Sequence, residues 1–259
     1  MRFENKVAVV TGAGSGIGRA VAKALAAEGA AVSVVDIHAE NAARTVEAIQ
    51  AAGGQAQAIV ADVTHEADAM RIAERTEQAF GGVDHLCNSA GIQTYGTVAD
   101  TDEATWDRTL NVNLKGIYLV SRFCIHAMRK RGGGSIVNMA SVQGYHSSQM
   151  GVAAYATSKA GTMALSRSMG LDHAREGIRT NCVLPGSIDT EMLRFGAATF
   201  AEDGNVQAVI DSWGEFHPVG RVGQPEEVAN LALFLLSDAA SFMTGAVITI
   251  DGGLTLKLL

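Results

Sequence analysis

Residues Val7–Gly18 read VAVVTGAGSGIG, and this stretch decides the fold. A run of Val and Ala typical of a buried strand leads into a turn with four glycines, and an amphipathic helical pattern follows at once. Glycines let the backbone come close to a pyrophosphate, while free N–H groups and the positive end of the helix dipole offset its charge. Taken alone, the stretch could also be a tight turn in a glycine-rich chain. Interpreted as a dinucleotide site, it assigns contacts to Gly12, Ser15, Gly16, Ile17 and Gly18.

Outward from this turn, short runs rich in Val, Ile and Ala alternate with longer amphipathic stretches, which is the pattern of a parallel sheet buried on both faces. Strands are expected at Val7–Thr11, Ala31–Asp36, Ala56–Ala61, Val83–Asn88, Ser135–Ala140, Arg179–Leu184 and Ala246–Ile250. Helices are expected at Gly16–Glu28, Glu40–Ala52, Glu66–Phe80, Thr105–Arg131, Ala153–Arg175 and Glu226–Ser237. The pattern predicts an α/β chain with one domain over residues 1–259, a doubly wound Rossmann fold whose seven-stranded parallel sheet has helices on both faces.

The segment Glu191–Pro218 interrupts this alternation between the sixth strand and the last helix. It mixes four aromatic residues with acids and glycines. We expect a substrate lid here, at about residues 190–218.

The composition limits the classes of function that the protein can have. The 259 residues fit one α/β domain, and the longest apolar runs, such as Leu231–Leu236, are far shorter than the roughly 20 residues of a membrane span. A formal charge of −7 offers no basic surface to a nucleic acid. Three cysteines far apart, with no CxxC or His-Cys spacing, predict free thiols and no metal site. With its polar start, we expect a cytoplasmic protein that acts on small molecules.

Asp36 ends the second expected strand, at about the distance from the glycine turn where an acid meets the adenosine ribose. Its carboxylate can accept hydrogen bonds from the ribose hydroxyls of NAD but would repel the 2′-phosphate of NADP. Neither Ser15 nor Ile37 supplies a cation for that phosphate, and His38 is mostly neutral at neutral pH. Asp36 therefore predicts NAD as the cofactor, the alternative being an acid that caps the next helix.

Tyr155 and Lys159 stand four residues apart in an expected helix, so their side chains lie on one face. A tyrosine pKa of about 10 must fall to about 7 for ready proton exchange at neutral pH, a differential of about 4 kcal/mol. At a separation of roughly 4 Å, the attraction between the lysine ammonium and the phenolate supplies about 1 kcal/mol in bulk water. At an effective dielectric near 20 it supplies about 4 kcal/mol. The pair predicts an acid/base centre if the pocket is sheltered, and an ordinary surface pair if it is not.

Together these motifs resemble the short-chain dehydrogenase/reductase family, whose marks are a TGxxxGxG turn, an NNAG-like strand end, a serine and a YxxxK pair. The resemblance covers nearly the whole chain. Asn88-Ser89-Ala90-Gly91 stands in place of NNAG and departs from it at Ser89, so cofactor contacts carry over to Asn88, Ala90 and Gly91. Asp62 and Val63 resemble the pair that the family places against adenine. The family's turn for the nicotinamide carboxamide corresponds here to Pro185, Gly186, Ile188 and Thr190.

The resemblance also implies four catalytic residues. Tyr155 as phenolate would take the hydroxyl proton while hydride passes between the substrate carbon and nicotinamide, and Ser141 would orient the oxygen. Lys159 would lower the tyrosine pKa and, with Tyr155, hold the nicotinamide ribose. Asn113 would hold a water that links the lysine to solvent. The implied activity is NAD-dependent interconversion of a secondary alcohol and a ketone.

Three alternatives share parts of this pattern. An NADP-linked 3-oxoacyl thioester reductase has the same scaffold and catalytic residues, but Asp36 disfavours it. A methyltransferase that uses S-adenosylmethionine has a glycine turn and a strand-end acid but no need of Ser141, Tyr155 and Lys159. A non-catalytic dinucleotide sensor would be suspected if one of these groups were missing.

The residues expected to face the substrate are rich in hydrogen-bonding groups, which favours a hydroxylated molecule such as a sugar, a polyol or a cyclic alcohol. The alternative is an exposed loop that is polar for no specific reason. These residues are Gln93, Tyr95, Gln143, His146, Ser147, Ser148 and Gln149.

The helices expected at Thr105–Arg131 and Ala153–Arg175 carry apolar residues on more than one face. The family resemblance implies that they pair between subunits. A second subunit could also cover the apolar residues Leu254–Leu259. We therefore expect a symmetric homo-oligomer, a tetramer.

Overall fold

The computed structural model describes residues 1–146, 149–201 and 204–256. It contains one sheet of seven parallel strands in the order β3-β2-β1-β4-β5-β6-β7. The strands are β1 Val7–Thr11, β2 Ala31–Asp36, β3 Gln55–Val60, β4 His85–Asn88, β5 Gly134–Met139, β6 Ile178–Pro185 and β7 Val247–Ile250. The helices are α1 Gly16–Ala27, α2 Ala39–Ala51, α3 Glu66–Phe80, α4 Glu103–Leu110, α5 Gly116–Arg131, α6 Ala153–Asp172, α7 Glu191–Phe200, α8 Val206–Glu215 and α9 Pro225–Leu236. The predicted α/β doubly wound fold is confirmed.

Each face of the sheet packs on its own core. Val10 of β1 points into a cluster that contains Leu25 of α1 and Leu233 of α9, whereas its neighbour Val9 points into a second cluster with Ile72 of α3. Successive strand side chains point to opposite faces, so a strand that is buried on both sides must be apolar at every position. This explains why β1 reads as an unbroken apolar run.

The single helix predicted at Thr105–Arg131 is wrong. The chain forms α4, then a π-helical turn at Asn111–Lys115, then α5. The π-helical turn directs Asn113 inward, where its buried side chain forms hydrogen bonds with the backbone of Ile92 and with Ser158. Apolar spacing reports only which face is buried, so it does not reveal this change in helical winding. The helix predicted to run to Arg175 likewise ends at Asp172.

Arg179 on β6 holds the end of α9. Its guanidinium donates to four carbonyls, those of Leu235 at 2.9 Å, Leu236 at 3.2 Å, Ser237 at 3.0 Å and Met243 at 3.3 Å. These bonds satisfy carbonyls that a helix leaves free at its carboxyl end.

We expect Arg179→Met to lower the free energy of unfolding by about 3 kcal/mol, because it leaves partly buried carbonyls without donors. Urea denaturation followed by circular dichroism measures the loss. The matched change Arg75→Met on the exposed face of α3 should stay within about 0.5 kcal/mol of wild type. Equal effects of the two substitutions would contradict this role of Arg179.

Candidate active site

The glycine turn between β1 and α1 is packed against the end of β4. Gly12 has a φ of +62°, a conformation that side chains disfavour, and a Cβ on it would lie 2.8 Å from the backbone of Ala90. The turn therefore brings its backbone N–H groups to the carboxyl edge of the sheet, beside the cleft there.

The contact between Glu191 and this turn shows what kind of group its N–H groups can bind. The N–H of Gly16, at the start of α1, donates to Oε2 of Glu191 at 3.0 Å, and Arg19 lies 3.1 Å from the other carboxylate oxygen. A phosphate oxygen carries the same kind of charge and accepts the same hydrogen bond. The turn therefore fits the pyrophosphate of a dinucleotide.

Asp36 borders the same turn. Its Oδ2 accepts from the N–H of Gly14 and its Oδ1 from the N–H of His38, both at 2.9 Å. The carboxylate is thus fixed at the mouth of the cleft and still has lone pairs for further donors.

The cleft has a volume of about 840 Å³. Most of the residues predicted to bind the cofactor line it, namely Gly12, Ser15, Gly16, Ile17, Gly18, Asp36, Asp62, Val63, Ala90, Gly91 and Thr190. Asn88 does not line it. That side chain is buried and donates to Asn138 at 2.8 Å and to Ser121 at 3.0 Å, so it joins neighbouring strand ends and a helix.

A second cavity, of about 650 Å³, meets the cleft. Ile17, Thr190 and Met192 line both spaces. Ser141, Tyr155, Pro185, Gly186 and Ile188 line the second cavity. The two spaces therefore meet, and the second one contains two of the expected reacting groups, Ser141 and Tyr155.

Tyr155 and Lys159 lie buried on α6, with the lysine Nζ 5.5 Å from the centre of the phenol ring. Burial raises the pKa of Tyr155 to about 12, although its hydrogen bond with Ser141 acts in the opposite direction. Burial also lowers the pKa of Lys159 to about 8. In the protein alone, desolvation of the phenol outweighs its hydrogen bond with Ser141, which differs from the expected fall in the tyrosine pKa.

Lys159 and Asn113 converge on the loop after β4. Lys159 Nζ donates to the carbonyl of Met139 at 2.9 Å, and a Cβ on Gly91 would lie 3.6 Å from that Nζ and 3.3 Å from Oδ1 of Asn113. The Asn113 side chain accepts from the N–H of Ile92 at 2.8 Å and donates to its carbonyl at 2.9 Å. Asn113 thus fixes the backbone beside the lysine.

The wall of the second cavity is more apolar than the sequence predicts. Of the expected polar residues, Gln93, Tyr95, Gln143 and His146 line it, whereas Gln149 does not and Ser147 and Ser148 lie outside the described residues. The segment after Thr190 contributes Met192, Leu193, Phe200, Val209, Ser212, Trp213 and Phe216. Phe200 makes edge-to-face contacts with Tyr95 and Trp213, at centroid distances of 5.4 and 6.1 Å.

His217 connects this segment to the turn after β6. Its Nδ1 lies 2.9 Å from the carbonyl of Trp213, and its Nε2 accepts from the N–H of Ser187 at 3.3 Å. The end of α8 is therefore tied to the residues expected to hold the nicotinamide carboxamide.

The geometry agrees with the comparisons to known proteins. A family model described as enoyl-(acyl carrier protein) reductase matches residues 12–255. A solved structure of a short-chain type dehydrogenase/reductase from Mycobacterium marinum superposes with a TM-score of 0.90 at 34% identity, covering 98% of this chain and 97% of that one. The chain belongs to the short-chain dehydrogenase/reductase family. Its members use a nicotinamide cofactor, and this chain is accordingly an oxidoreductase.

Other relatives in this short-chain dehydrogenase/reductase family differ in activity. The chain is 40% identical to cyclohexanol dehydrogenase from Acinetobacter sp. strain SE19, over 99% of this chain and 97% of that protein. It is 39% identical to 3-oxoacyl-[acyl-carrier-protein] reductase from Thermotoga maritima, over 99% and 100%. The structure of levodione reductase superposes with a TM-score of 0.94 at 33% identity, covering 99% and 100%.

Three charged residues that line the cleft are not predicted from the sequence, namely Asp107, Arg108 and Glu191. Glu191 follows the helix-capping Thr190, and nothing in its spacing indicates that it reaches back to Gly16. Arg108 on α4 lines the cleft as well, and it lies far from the glycine turn in the sequence.

Within residues 1–146, 149–201 and 204–256, no helix is both long and apolar enough to cross a membrane. The same residues contain no group of three or more His, Cys, Asp or Glu side chains placed to hold a metal ion.

Proposed function

We propose that the protein is an NAD-dependent dehydrogenase that interconverts a cyclic secondary alcohol and its ketone, with Tyr155 as general acid/base. One observation carries the proposal. Ser141 and Tyr155 line a largely apolar cavity that meets the dinucleotide cleft at Ile17 and Thr190.

The residues of the chain divide the chemistry among them. A bound nicotinamide supplies the acceptor or donor of hydride. Tyr155 Oη takes the proton of the alcohol during oxidation and returns it during reduction. Ser141 Oγ accepts from the N–H of Gln143 at 3.2 Å and forms a hydrogen bond with Tyr155, so the two hydroxyl groups can bind one reacting oxygen between them. The charge of Lys159, and that of the oxidised cofactor, offset the desolvation that raises the tyrosine pKa.

The remaining groups hold the cofactor and carry the proton onward. Lys159 and Tyr155 bind the nicotinamide ribose, and Asn113 positions a water beside the lysine. Pro185, Gly186, Ile188 and Thr190 would hold the carboxamide, and the segment at about 190–218 would act as the lid over the substrate.

Asp36 selects NAD. Its carboxylate is held at the cleft by two backbone N–H groups. A 2′-phosphate beside this carboxylate would bring a second negative charge into a partly desolvated site. The ribose hydroxyls of NAD would instead donate hydrogen bonds to the carboxylate.

The cavity wall favours a cyclic alcohol over a sugar or an open-chain polyol. Trp213, Phe216 and Met192 offer apolar surface, and a hydroxyl buried against such surface without a partner is costly. The names of two similar proteins, cyclohexanol dehydrogenase and levodione reductase, support a cyclic substrate. The Thermotoga maritima relative supports the second candidate, an NADP-linked 3-oxoacyl thioester reductase.

The test is an assay of the purified protein with NAD or NADP and three substrates, namely cyclohexanol, galactitol and a 3-hydroxyacyl thioester. Formation of the reduced cofactor is followed by absorbance. We expect the highest kcat/KM with NAD and the cyclic alcohol. A preference for the thioester with NADP would favour the second candidate, and no turnover with any alcohol would overturn both.

We also propose a homotetramer. Large apolar side chains are exposed at Tyr118 on α5, Leu171 on α6, Phe242 and Leu256, the last two being 103% and 83% exposed. Burial of such groups favours association. Light scattering at micromolar concentration should give four times the mass of one chain. A monomer at that concentration would contradict this prediction.

A further inference from the structure

Ser158 lies on the face of α6 that carries the reacting groups. It stands three residues after Tyr155 and directly before Lys159, and it is fully buried. Residues three and four apart on a helix are neighbours, so these three side chains lie close together. Neither the acid/base step nor the binding of the cofactor uses the Ser158 hydroxyl. Its role must therefore come from the groups to which it bonds.

One of these groups is the side-chain amide of Asn113. The N–H of Ile92 donates to Asn113 Oδ1 at 2.8 Å, and Asn113 Nδ2 donates to the carbonyl of Ile92 at 2.9 Å and to Oγ of Ser158 at 3.0 Å. Because a backbone N–H can only donate, Ile92 fixes which atom of the amide is the oxygen. No other side chain in the described part of the chain bonds to this amide.

The second group is the backbone of Tyr155. Ser158 Oγ donates to the Tyr155 carbonyl at 2.7 Å, so its one hydrogen is used and its oxygen is left to accept from Asn113. Thr162 makes a weaker connection, since its Oγ1 lies 3.3 Å from the carbonyl of Asn113 but 3.0 Å from that of Ser158. Ser158 is therefore the stronger hydrogen-bonded link between the π-helical turn and the helix that carries Tyr155.

This link bears on the position of Lys159. A Cβ on Gly91 would lie 3.3 Å from Asn113 Oδ1 and 3.6 Å from Lys159 Nζ, so the amide and the ammonium approach the same point of the loop after β4. The ammonium has three donors and gives one to the carbonyl of Met139. A shift of Asn113 relative to α6 would change what surrounds the other two.

We propose that Ser158 is a positioning residue that holds Asn113 against the catalytic helix, so that the amide, the Lys159 ammonium and the Tyr155 hydroxyl keep their relative positions during proton transfer. This inference rests on the proposed function. Ser158 contacts neither substrate nor cofactor and acts through Asn113. Without the Ser158 hydroxyl, one buried N–H of Asn113 loses its acceptor, and the amide no longer has a fixed partner on α6.

Ser166 offers a matched control on the same helix. It is also fully buried, and its Oγ accepts from Nδ2 of Asn138 at 2.9 Å and donates to the carbonyl of Thr162 at 2.7 Å. Ser158→Ala and Ser166→Ala therefore remove the same hydroxyl group and the same pair of bonds. Urea denaturation should show a similar loss of stability in both variants, whereas only Ser158→Ala should change catalysis.

The catalytic test measures kcat with cyclohexanol and NAD as a function of pH. In Ser158→Ala, kcat should fall about 10- to 100-fold. The kinetic pKa of oxidation should rise by about half a unit or more, because Lys159 stabilises the phenolate of Tyr155 less well when its surroundings shift. Ser166→Ala should keep the wild-type pKa. The other titratable groups around the pair are the same in both variants, namely Tyr95, His146 and Cys182.

Two further variants test whether Ser158 acts through Asn113. In an Asn113→Ala background, Ser158→Ala should lower kcat no further, because the group that it positions is already gone. Ser158→Thr keeps the hydroxyl and should keep the wild-type kinetic pKa. Ser158→Cys replaces the oxygen with a sulfur that accepts more weakly, and it should shift the pKa in the same direction as Ser158→Ala.

Each failure has its own signature. A wild type that oxidises no alcohol would overturn the proposed function and this role with it. If the wild type is active but Ser158→Ala keeps its pH profile, or if the effects of Ser158→Ala and Asn113→Ala simply add, Ser158 serves stability alone. Should Ser158→Ala not fold, an unchanged profile in Ser158→Cys would overturn the proposal.

Discussion

Tyr155→Phe should lower kcat by about 10²- to 10⁴-fold with a cyclic alcohol and NAD, the range that a positioned acid/base group contributes. The substitution keeps the ring, which is 8% exposed and packed on α6, and removes only the hydroxyl that carries the proton. Folding should stay near wild type because no apolar contact is lost, and NAD affinity should stay near wild type because Lys159 still binds the ribose. Steady-state kinetics and a fluorescence titration with NAD measure the two properties separately.

A matched control is Tyr118→Phe, the same loss of a hydroxyl on the 48% exposed tyrosine of α5. It should leave kcat unchanged. If Tyr155→Phe kept more than about a tenth of the wild-type kcat, the proton would have to pass through another residue. A kinetic pKa near neutrality that persisted in this variant would point to a group such as His146, which lines the same cavity.

The second large effect concerns the cofactor. We expect kcat/KM with NAD to exceed that with NADP by at least about 100-fold, because like charges about 4 Å apart at an effective dielectric near 20 repel by about 4 kcal/mol. Asp36→Ala should narrow the preference to about tenfold or less, since it removes both the repulsion and the acceptor for the ribose. Initial rates over a range of each cofactor at saturating alcohol measure the change.

Asp36 also holds the N–H groups of Gly14 and His38, so a structural effect must be separated from the charge. Asp36→Asn keeps a side-chain oxygen as acceptor and removes the charge, and it should narrow the preference as Asp36→Ala does. Higher efficiency of the wild type with NADP would contradict the assignment. Loss of that efficiency in Arg108→Ala would then identify Arg108, which lines the cleft, as the phosphate ligand.

The sequence predicts those parts of the fold that depend on local pattern. The predicted bounds of β1 and β2 agree with the structure, because these strands are apolar runs that end at a glycine turn and at Asp36. The π-helical turn around Asn113 could not be predicted, since it arises from contacts with Ile92 and Ser158 that are distant in the chain.

The same limit applies to the site. The glycine motif and the spacing of Tyr155 and Lys159 identify the reacting groups, but burial sets their pKa values and is a property of the whole fold. The apolar wall of the second cavity could not be predicted for a related reason. The sequence shows aromatic residues such as Phe200 and Trp213 but does not show that they line the cavity. The polar residues after Ser141 instead suggested a more polar wall.

The strand order has a consequence for synthesis of the chain on the ribosome. β2 pairs with β1 and β3 with β2, after which β4 pairs with the other edge of β1, and β5, β6 and β7 each pair with the strand made just before. No strand has to insert between two that are already paired. The sheet can therefore assemble in the order of translation, and aggregation-prone open edges are covered as soon as the next strand emerges. Pairing of β4 with β1 closes the longest loop between neighbouring strands, and every later strand depends on it.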